Sequence, residues 1–352
     1  MKDKLDILLM GASYGSLLGA KLMMAGHNVT FVCLPAEADL INSDGIRVRL
    51  PVRDRDAPVE IHSAKLAGAC GAAGPDDVDP AKFDLVGLAM QEPQYGSPGV
   101  VELLDRIAKA GVPCMSIMNM PPLPYLKRIP GLDCAQLGSA FLDASIWERF
   151  DPRLMTLCSP DPQAFRPPEE KANVLHVGLP TNFKVSKFHD AASDAILAGL
   201  AADIDGYRIN GKDVPVKLRV YDSLYVPFAK WAMLATGNYR CITAQGPRSI
   251  KDAVHADLDK SREIYGFVND VVVKLGADPD DLVPFEKYAK AALGLLKPSS
   301  AARAVFSGAT NIERVDRVID LTARALGMSH PDIARGVAIV DDKLDENRQA
   351  AG

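Results

Sequence analysis

The sequence predicts an α/β protein: an N-terminal Rossmann-like doubly wound sheet followed by an all-helical C-terminal domain. Three observations predict it. The stretch Leu5–Val32, LDILLMGASYGSLLGAKLMMAGHNVTFV, reads as strand, small-residue turn, helix and strand. Further short apolar runs of strand length recur along the N-terminal part of the chain, separated by turns and helical stretches. From Asp222 onward the apolar residues recur at helical spacing.

Leu5–Met10 has the character of a buried strand, Gly11-Ala12-Ser13-Tyr14-Gly15-Ser16 of a turn, Leu17–Ala25 of a helix stopped by Gly26, and Asn28–Val32 of a second strand. A βαβ unit of this kind binds a pyrophosphate on the N–H groups at the helix start, where the dipole is positive. The usual spacing is G-x-G-x-x-G. Here its three glycine places read Gly11, Ser13 and Ser16, with Gly15 one place early. That fits a loop one residue shorter, with Gly15 in the third glycine's role and a Ser13 hydroxyl that can donate to phosphate. Gly11, Ser13, Tyr14, Gly15 and Ser16 are the candidate cofactor contacts. After the second strand an acidic residue would hold the ribose hydroxyls of NAD, and an arginine the extra phosphate of NADP. Cys33, Leu34, Pro35 and Ala36 offer neither, and Glu37 reads as an early helical residue. Both cofactors stay open at this point.

Ile46–Leu50 and Val59–His62 read as strands joined by the charged turn Arg53-Asp54-Arg55-Asp56, and Ala67–Pro80 as a surface excursion rich in Gly, Ala and Asp. Asp84–Ala89 is a parallel strand that runs into Met90-Gln91-Glu92-Pro93, at the carboxyl end where open sheets place ligands. Gly99–Ala110 is a helix. Val112–Met118 is a buried strand ending in Asn119-Met120-Pro121-Pro122, which places Asn119 either to face a cofactor or to cap the turn. Gly138–Asp190 is irregular and Pro-rich, with strand-like Val174–Gly178 and Thr181–Lys187. Ala191–Ala202 is a helix and Val216–Val220 a strand. Then come a helix at Asp222–Tyr239 buried on several sides, a long amphipathic helix at Lys251–Gly276, and a helix at Asp281–Leu296 with Pro284 in its first turn. Asn311–Leu326 and His330–Asp342 are the closing helices.

At 352 residues the chain is long enough for two domains with separate cores. Its net charge of −5 comes with no basic block that would point to nucleic acid or a membrane surface. No uncharged run reaches the length of a membrane span, and Asp6 and Lys21 interrupt the apolar start, against a signal peptide. The six cysteines form no C-x-x-C pair and the six histidines show no ligand spacing, so neither a disulfide framework nor a metal site is expected. A cytoplasmic location is the default expectation. Gly11-x-Ser13-x-Gly15 has the letters of a nucleophile elbow, but no acid–histidine pattern accompanies it.

Lys230, in PFAKWAMLATGN, lies inside a strongly apolar helix. Burial lowers a lysine's pKa and makes it a usable general acid. The competing reading is a lysine that snorkels to water. Asn238, eight residues on, is expected about two turns along the same face, giving a donor pair. Ser299 and Ser300 follow a proline at a helix break and also suit an N-cap for the segment from Ala301. Glu313 is expected on the first turn of a later helix, where the dipole explains an acid equally well.

Taken in order, GASYGSLLGAKLMMAGHNVTFV, Asn119 after a buried strand, AKWAMLATGN and PSSAARAVFSGATNIERVD resemble the ketopantoate reductase family (2-dehydropantoate 2-reductases). The resemblance covers most of the chain and is loose over residues 120–215. It implies a dinucleotide-binding domain over residues 1–215 and a helical substrate and dimerisation domain over residues 216–352. It implies that Lys230 protonates a carbonyl oxygen as hydride arrives from the nicotinamide, with Asn119 near that ring. Asn238 matches the second of two helix asparagines, Ser299 or Ser300 the serine pair that holds the substrate carboxylate, and Glu313 an acidic residue reached by a one-residue insertion. Three departures stand out: the first helix asparagine is Leu234, the basic residue after the second strand is missing, and a lysine is replaced near Met90-Gln91. A 2-oxo acid other than ketopantoate (or the corresponding 2-hydroxy acid) is therefore the expected substrate. NADP, or NAD, is the expected cofactor, and a homodimer the common assembly. Two alternatives are an opine- or hydroxyacid-dehydrogenase-like oxidoreductase and a non-catalytic nucleotide-binding module.

Overall fold

The structure, a computed structural model, describes residues 4–52 and 57–352. The charged turn expected at 53–56 lies outside the described residues. Two compact units are present. The first takes the chain up to Met90, then Gln94–Tyr125 and Ser145–Asp222; the second takes Gln91–Pro93, Leu126–Ala144 and Ser223–Gly352. The break expected after residue 215 thus falls after Asp222, because Leu218–Tyr221 is a strand of the first unit's sheet.

In the first unit β1 (Asp6–Met10), α1 (Ala12–Met24) and β2 (Asn28–Val32) form the opening βαβ unit, with α2 (Pro35–Asp44) after it. β3 (Arg47–Leu50), β4 (Val59–His62), β5 (Cys70–Ala73) and β6 (Leu85–Leu88) follow. Next come α3 (Val100–Ala110), β7 (Cys114–Ser116), β8 (Met155–Ser159), β9 (Gln163–Phe165), β10 (Val174–Leu179) and β11 (Phe183–Ser186). Among the described residues the main sheet has eight strands, in the order Leu218–Tyr221, β11, β8, β7, β6, β1, β2, β5. The six from β8 to β5 run parallel, and the chain reverses its direction of travel at β1 and β6. That is the doubly wound order, with its switch point beside β1. β11 turns antiparallel against β8.

Two strands of this sheet lay in segments read as irregular. β5 sits in the expected surface excursion. Its CGAA sequence carries no β-branched residue, and it pairs with β2 alone, so neighbours rather than propensity hold it extended. β8 (MTLCS) is buried throughout, although the Pro-rich run around it masks its period. A second sheet, in the order β4-β3-β10-β9, was not expected. Its strands β3, β9 and β10 pack on α1, as β1 and β2 of the main sheet do, which explains why α1 is apolar nearly all round.

The second unit is helical. The helix expected at Asp222–Tyr239 is four pieces: a 3₁₀ turn at Val226–Phe228, an α-helix at Ala229–Met233, a π-turn at Leu234–Asn238 and a 3₁₀ turn at Tyr239–Cys241. The expected long helix divides into Ile250–His255 and Leu258–Lys274, because Asp257 turns extended and its carboxylate accepts from the Lys260 N–H at 2.9 Å. Pro284 stands just before the helix Phe285–Ala292 instead of in its first turn. Ser300–Phe306, Val315–Ala325 and Pro331–Ala351 complete the unit. Among the described residues no helix is long and apolar enough to cross a membrane.

Candidate active site

Gly11 closes β1 with φ +101°, and a Cβ there would lie 2.8 Å from Met90 Cγ and 2.9 Å from the Ala89 oxygen. Only glycine fits both the backbone and the space. Its N–H is held by the Val32 oxygen at 2.9 Å, which ties the end of β1 to the end of β2. The turn is tighter than expected. α1 begins at Ala12, so Ser13 to Ser16 are its first turns and not a loop. The first N–H groups of α1 have no acceptor within the helix and point off the carboxyl edge of the sheet.

The candidate phosphate contacts separate by burial. Ser13 is exposed beside the helix start. Ser16 is 1% exposed and its hydroxyl donates back to the Ala12 carbonyl, so its side chain faces the protein. Gly15 is a packing glycine: a Cβ there would stand 3.4 Å from Ala89 Cβ. Tyr14 donates its hydroxyl to the Pro162 carbonyl at 2.7 Å and meets the edge of Phe183, and burial pushes its phenol well above the ordinary range. It is a neutral anchor.

Met10, Leu88 and Ser116 are register partners, so β1, β6 and β7 end level. Asn119 therefore leaves the same edge as Gly11, two strands away, or about 10 Å. Its Oδ1 is buried and has no hydrogen-bond partner among the described residues. A buried acceptor of that kind calls for a donor from a ligand or water. Beyond β2, Leu34 is 75% exposed. Glu37, third in α2, pairs with Arg166, a residue that sequence reasoning left in the irregular segment. Glu92, in the loop after β6, is a buried carboxylate that accepts from the Leu142 N–H at 3.2 Å, within the second unit.

In the second unit the candidate residues gather around the broken helix. Lys230 is half-buried on its α-helical part, and Asn238 closes the π-turn. Eight residues of unbroken α-helix would rotate Asn238 about 80° from Lys230. A π-turn absorbs about one residue, which reduces that offset to roughly 20°. Leu234 opens the π-turn and is buried. Ser299 donates to the Asn238 carbonyl at 2.7 Å and accepts from the Ala302 N–H at 3.1 Å, capping Ser300–Phe306. Its proton is therefore engaged, whereas Ser300 beside it is exposed. Glu313 is buried ahead of Val315–Ala325, not on that helix's first turn. Its carbonyl accepts from the Tyr239 hydroxyl, which in turn accepts from the Val315 N–H at 3.0 Å.

The glycine held open at Gly11, the helix start beside it and the unpartnered Asn119 oxygen fit a nicotinamide dinucleotide laid along the sheet edge. No protein-family model and no curated protein sequence matches the chain. Solved structures do. The 2-dehydropantoate 2-reductase from Methylococcus capsulatus superposes with a TM-score of 0.68 at 14% identity, over 97% of this chain and 98% of that one. D-mandelate dehydrogenase, in a ternary structure with NADH and anilino(oxo)acetate, gives 0.66 at 13% identity over 98% and 99%. A dimeric ketopantoate reductase from Staphylococcus aureus gives 0.61 at 11% over 97% and 100%. The chain has the fold of the ketopantoate reductases over nearly its full length.

Proposed function

We propose that the protein is an NAD(P)H-dependent reductase of a 2-oxo acid other than ketopantoate. The observation that carries this is the gathering of Lys230, Asn238, Ser299 and Glu313 around one broken helix, in a chain of ketopantoate reductase fold. The dinucleotide, when bound, supplies the hydride. Gly11, Ser13 and the first N–H groups of α1 hold its pyrophosphate, and Asn119 orients its carboxamide end. Lys230 holds a proton at the substrate's carbonyl oxygen, stabilises the charge that develops there and delivers the proton. Asn238 donates to the same substrate and fixes its angle. Ser300, with its exposed hydroxyl, receives the carboxylate, while Ser299 positions Asn238 through the backbone. Leu234 in place of an amide removes one polar contact, which favours a less polar side chain on the acid than ketopantoate carries. The likeness to D-mandelate dehydrogenase favours the same choice. The expected assembly is a homodimer.

The test is single-turnover oxidation of NADPH or NADH with a panel of 2-oxo acids bearing apolar side chains. Wild type should turn over at least one acid, and Lys230→Ala should slow hydride transfer by about 10²- to 10⁴-fold. An unchanged rate in Lys230→Ala removes that lysine from the chemistry. Binding without turnover across the panel favours the non-catalytic nucleotide-binding alternative, and condensation with an amino acid the opine dehydrogenase alternative.

A further inference from the structure

We propose that Arg166 selects the cofactor, taking the 2′-phosphate of NADPH beside the end of β2. The inference rests on the dinucleotide reading above. In a doubly wound sheet the adenosine ribose lies past the second strand, and the residue there decides between NAD and NADP. Here the chain after β2 gives Cys33, Leu34 and Pro35, none of which can contact a phosphate with a charge. The charge comes from elsewhere in the first unit. Arg166 directly follows β9 and its Nη2 pairs with Oε1 of Glu37, third in α2. Both charges bear on Cys33: burial pushes that thiol up to about 12, with Glu37 adding to the rise and Arg166 opposing it. Glu37 is the fifth residue after Val32, so the pair stands near the strand's end.

The segment that delivers Arg166 is fixed at both ends. Pro162 accepts the Tyr14 hydroxyl at 2.7 Å, on the turn that opens α1. Phe165 pairs with His176 of β10, so the second sheet sets where Arg166 emerges. Five extended residues reach at most about 18 Å. This strap runs from the pyrophosphate turn to the ribose position, along the adenosine half of a bound dinucleotide. Arg166 and Glu37 are 23% and 16% exposed, enough for a ligand to reach them and too little for water to screen them fully. Among the described residues Arg166 has one side-chain hydrogen bond, to Glu37, which leaves most of the five guanidinium donors for a phosphate. Glu37 keeps its own charge beside the guanidinium and holds it in place, so the phosphate must be taken by the donors that Glu37 leaves free.

Isothermal titration of NADPH and NADH into wild type, Arg166→Ala and Arg166→Lys tests this. Wild type should bind NADPH the more tightly. Arg166→Ala should lose about 10- to 100-fold in NADPH affinity, with NADH affinity held within about twofold. Arg166→Lys should recover part of the loss, and it reads the same contrast if the alanine variant does not fold. A wild-type preference for NADH overturns the proposal. So does a substitution that weakens both dinucleotides equally or neither. If wild type binds neither dinucleotide, the dinucleotide reading itself fails and the proposal falls with it.

Discussion

Lys21 is a cation on an apolar helix, 1% exposed, with its Nζ donating to the Pro215 carbonyl at 2.9 Å. Val216, the next residue, sits at φ +66°, a strained conformation for a β-branched side chain that holds this turn in place. Burial first, then the like charge of Lys217, lowers Lys21 from its ordinary 10.5 to about 7, against the pull of Asp213. The unfolded chain keeps that proton up to about pH 10.4. Between pH 7 and that value the unfolded state binds more protons, so this residue makes stability rise with pH across the window. Lys21→Met should flatten that rise. Urea midpoints of wild type and variant at pH near 7 and near 10 check it, and an identical pH slope in the two would refute it. At the same scale, Ser299→Ala should cost about 0.5–2 kcal/mol of stability through the lost cap. It should also raise KM, by loosening the Asn238 backbone. Lys230, Asn238 and the serine pair stood out in the sequence because they fall in ordered motifs. Which serine is committed to the backbone was not, since that depends on a carbonyl 61 residues away.

At the scale of elements, glycines decide the packing of α1 and of the π-turn. A Cβ on Gly19 would lie 2.6 Å from Phe31 Cζ, and Phe31 is fully buried and cannot yield. Gly19→Ala should cost about 1–3 kcal/mol by overpacking, less up to about 1 kcal/mol returned by helix propensity. Chemical denaturation reads the net loss. Gly237 is tighter still: a Cβ would fall 1.9 Å from the Tyr288 hydroxyl, which donates to the Met233 carbonyl at 3.0 Å. Gly237→Ala should therefore destabilise the second unit, and Tyr288→Phe in the same chain should recover part of that loss. Additive losses in the double variant would show that the hydroxyl is not the obstacle. Helical spacing revealed where residues 222–239 were apolar and could not reveal the π-turn, beside which Tyr288 of a separate helix donates to the Met233 carbonyl. β5 was hidden for a related reason: Cys70-Gly71-Ala72-Ala73 is extended only because β2 lies beside it.

For the whole molecule, the doubly wound plan and four of its parallel strands, β1, β2, β6 and β7, followed from short apolar runs and one βαβ unit, which local sequence encodes well. The second sheet did not. Its central pair joins residues 47–49 to 174–176, and no local pattern reports a partner that far along the chain. A ligand that binds only the folded state raises apparent stability by about 2.7 kcal/mol at a hundredfold excess over its Kd. Thermal melts with saturating NADPH should show such a rise in the wild type. Substitution of Gly11 by valine should remove it, since φ +101° and the 2.8 Å approach to Met90 admit no side chain.

The first unit is assembled from chain that leaves it and returns: β7 is followed by residues 126–144 of the second unit before β8 arrives. On the ribosome, β7 emerges with one edge bare and waits for its neighbour. Its sheet is not finished until Tyr221 is out of the exit tunnel. A nascent chain halted near residue 125 would thus present a sticky margin for chaperones to cover.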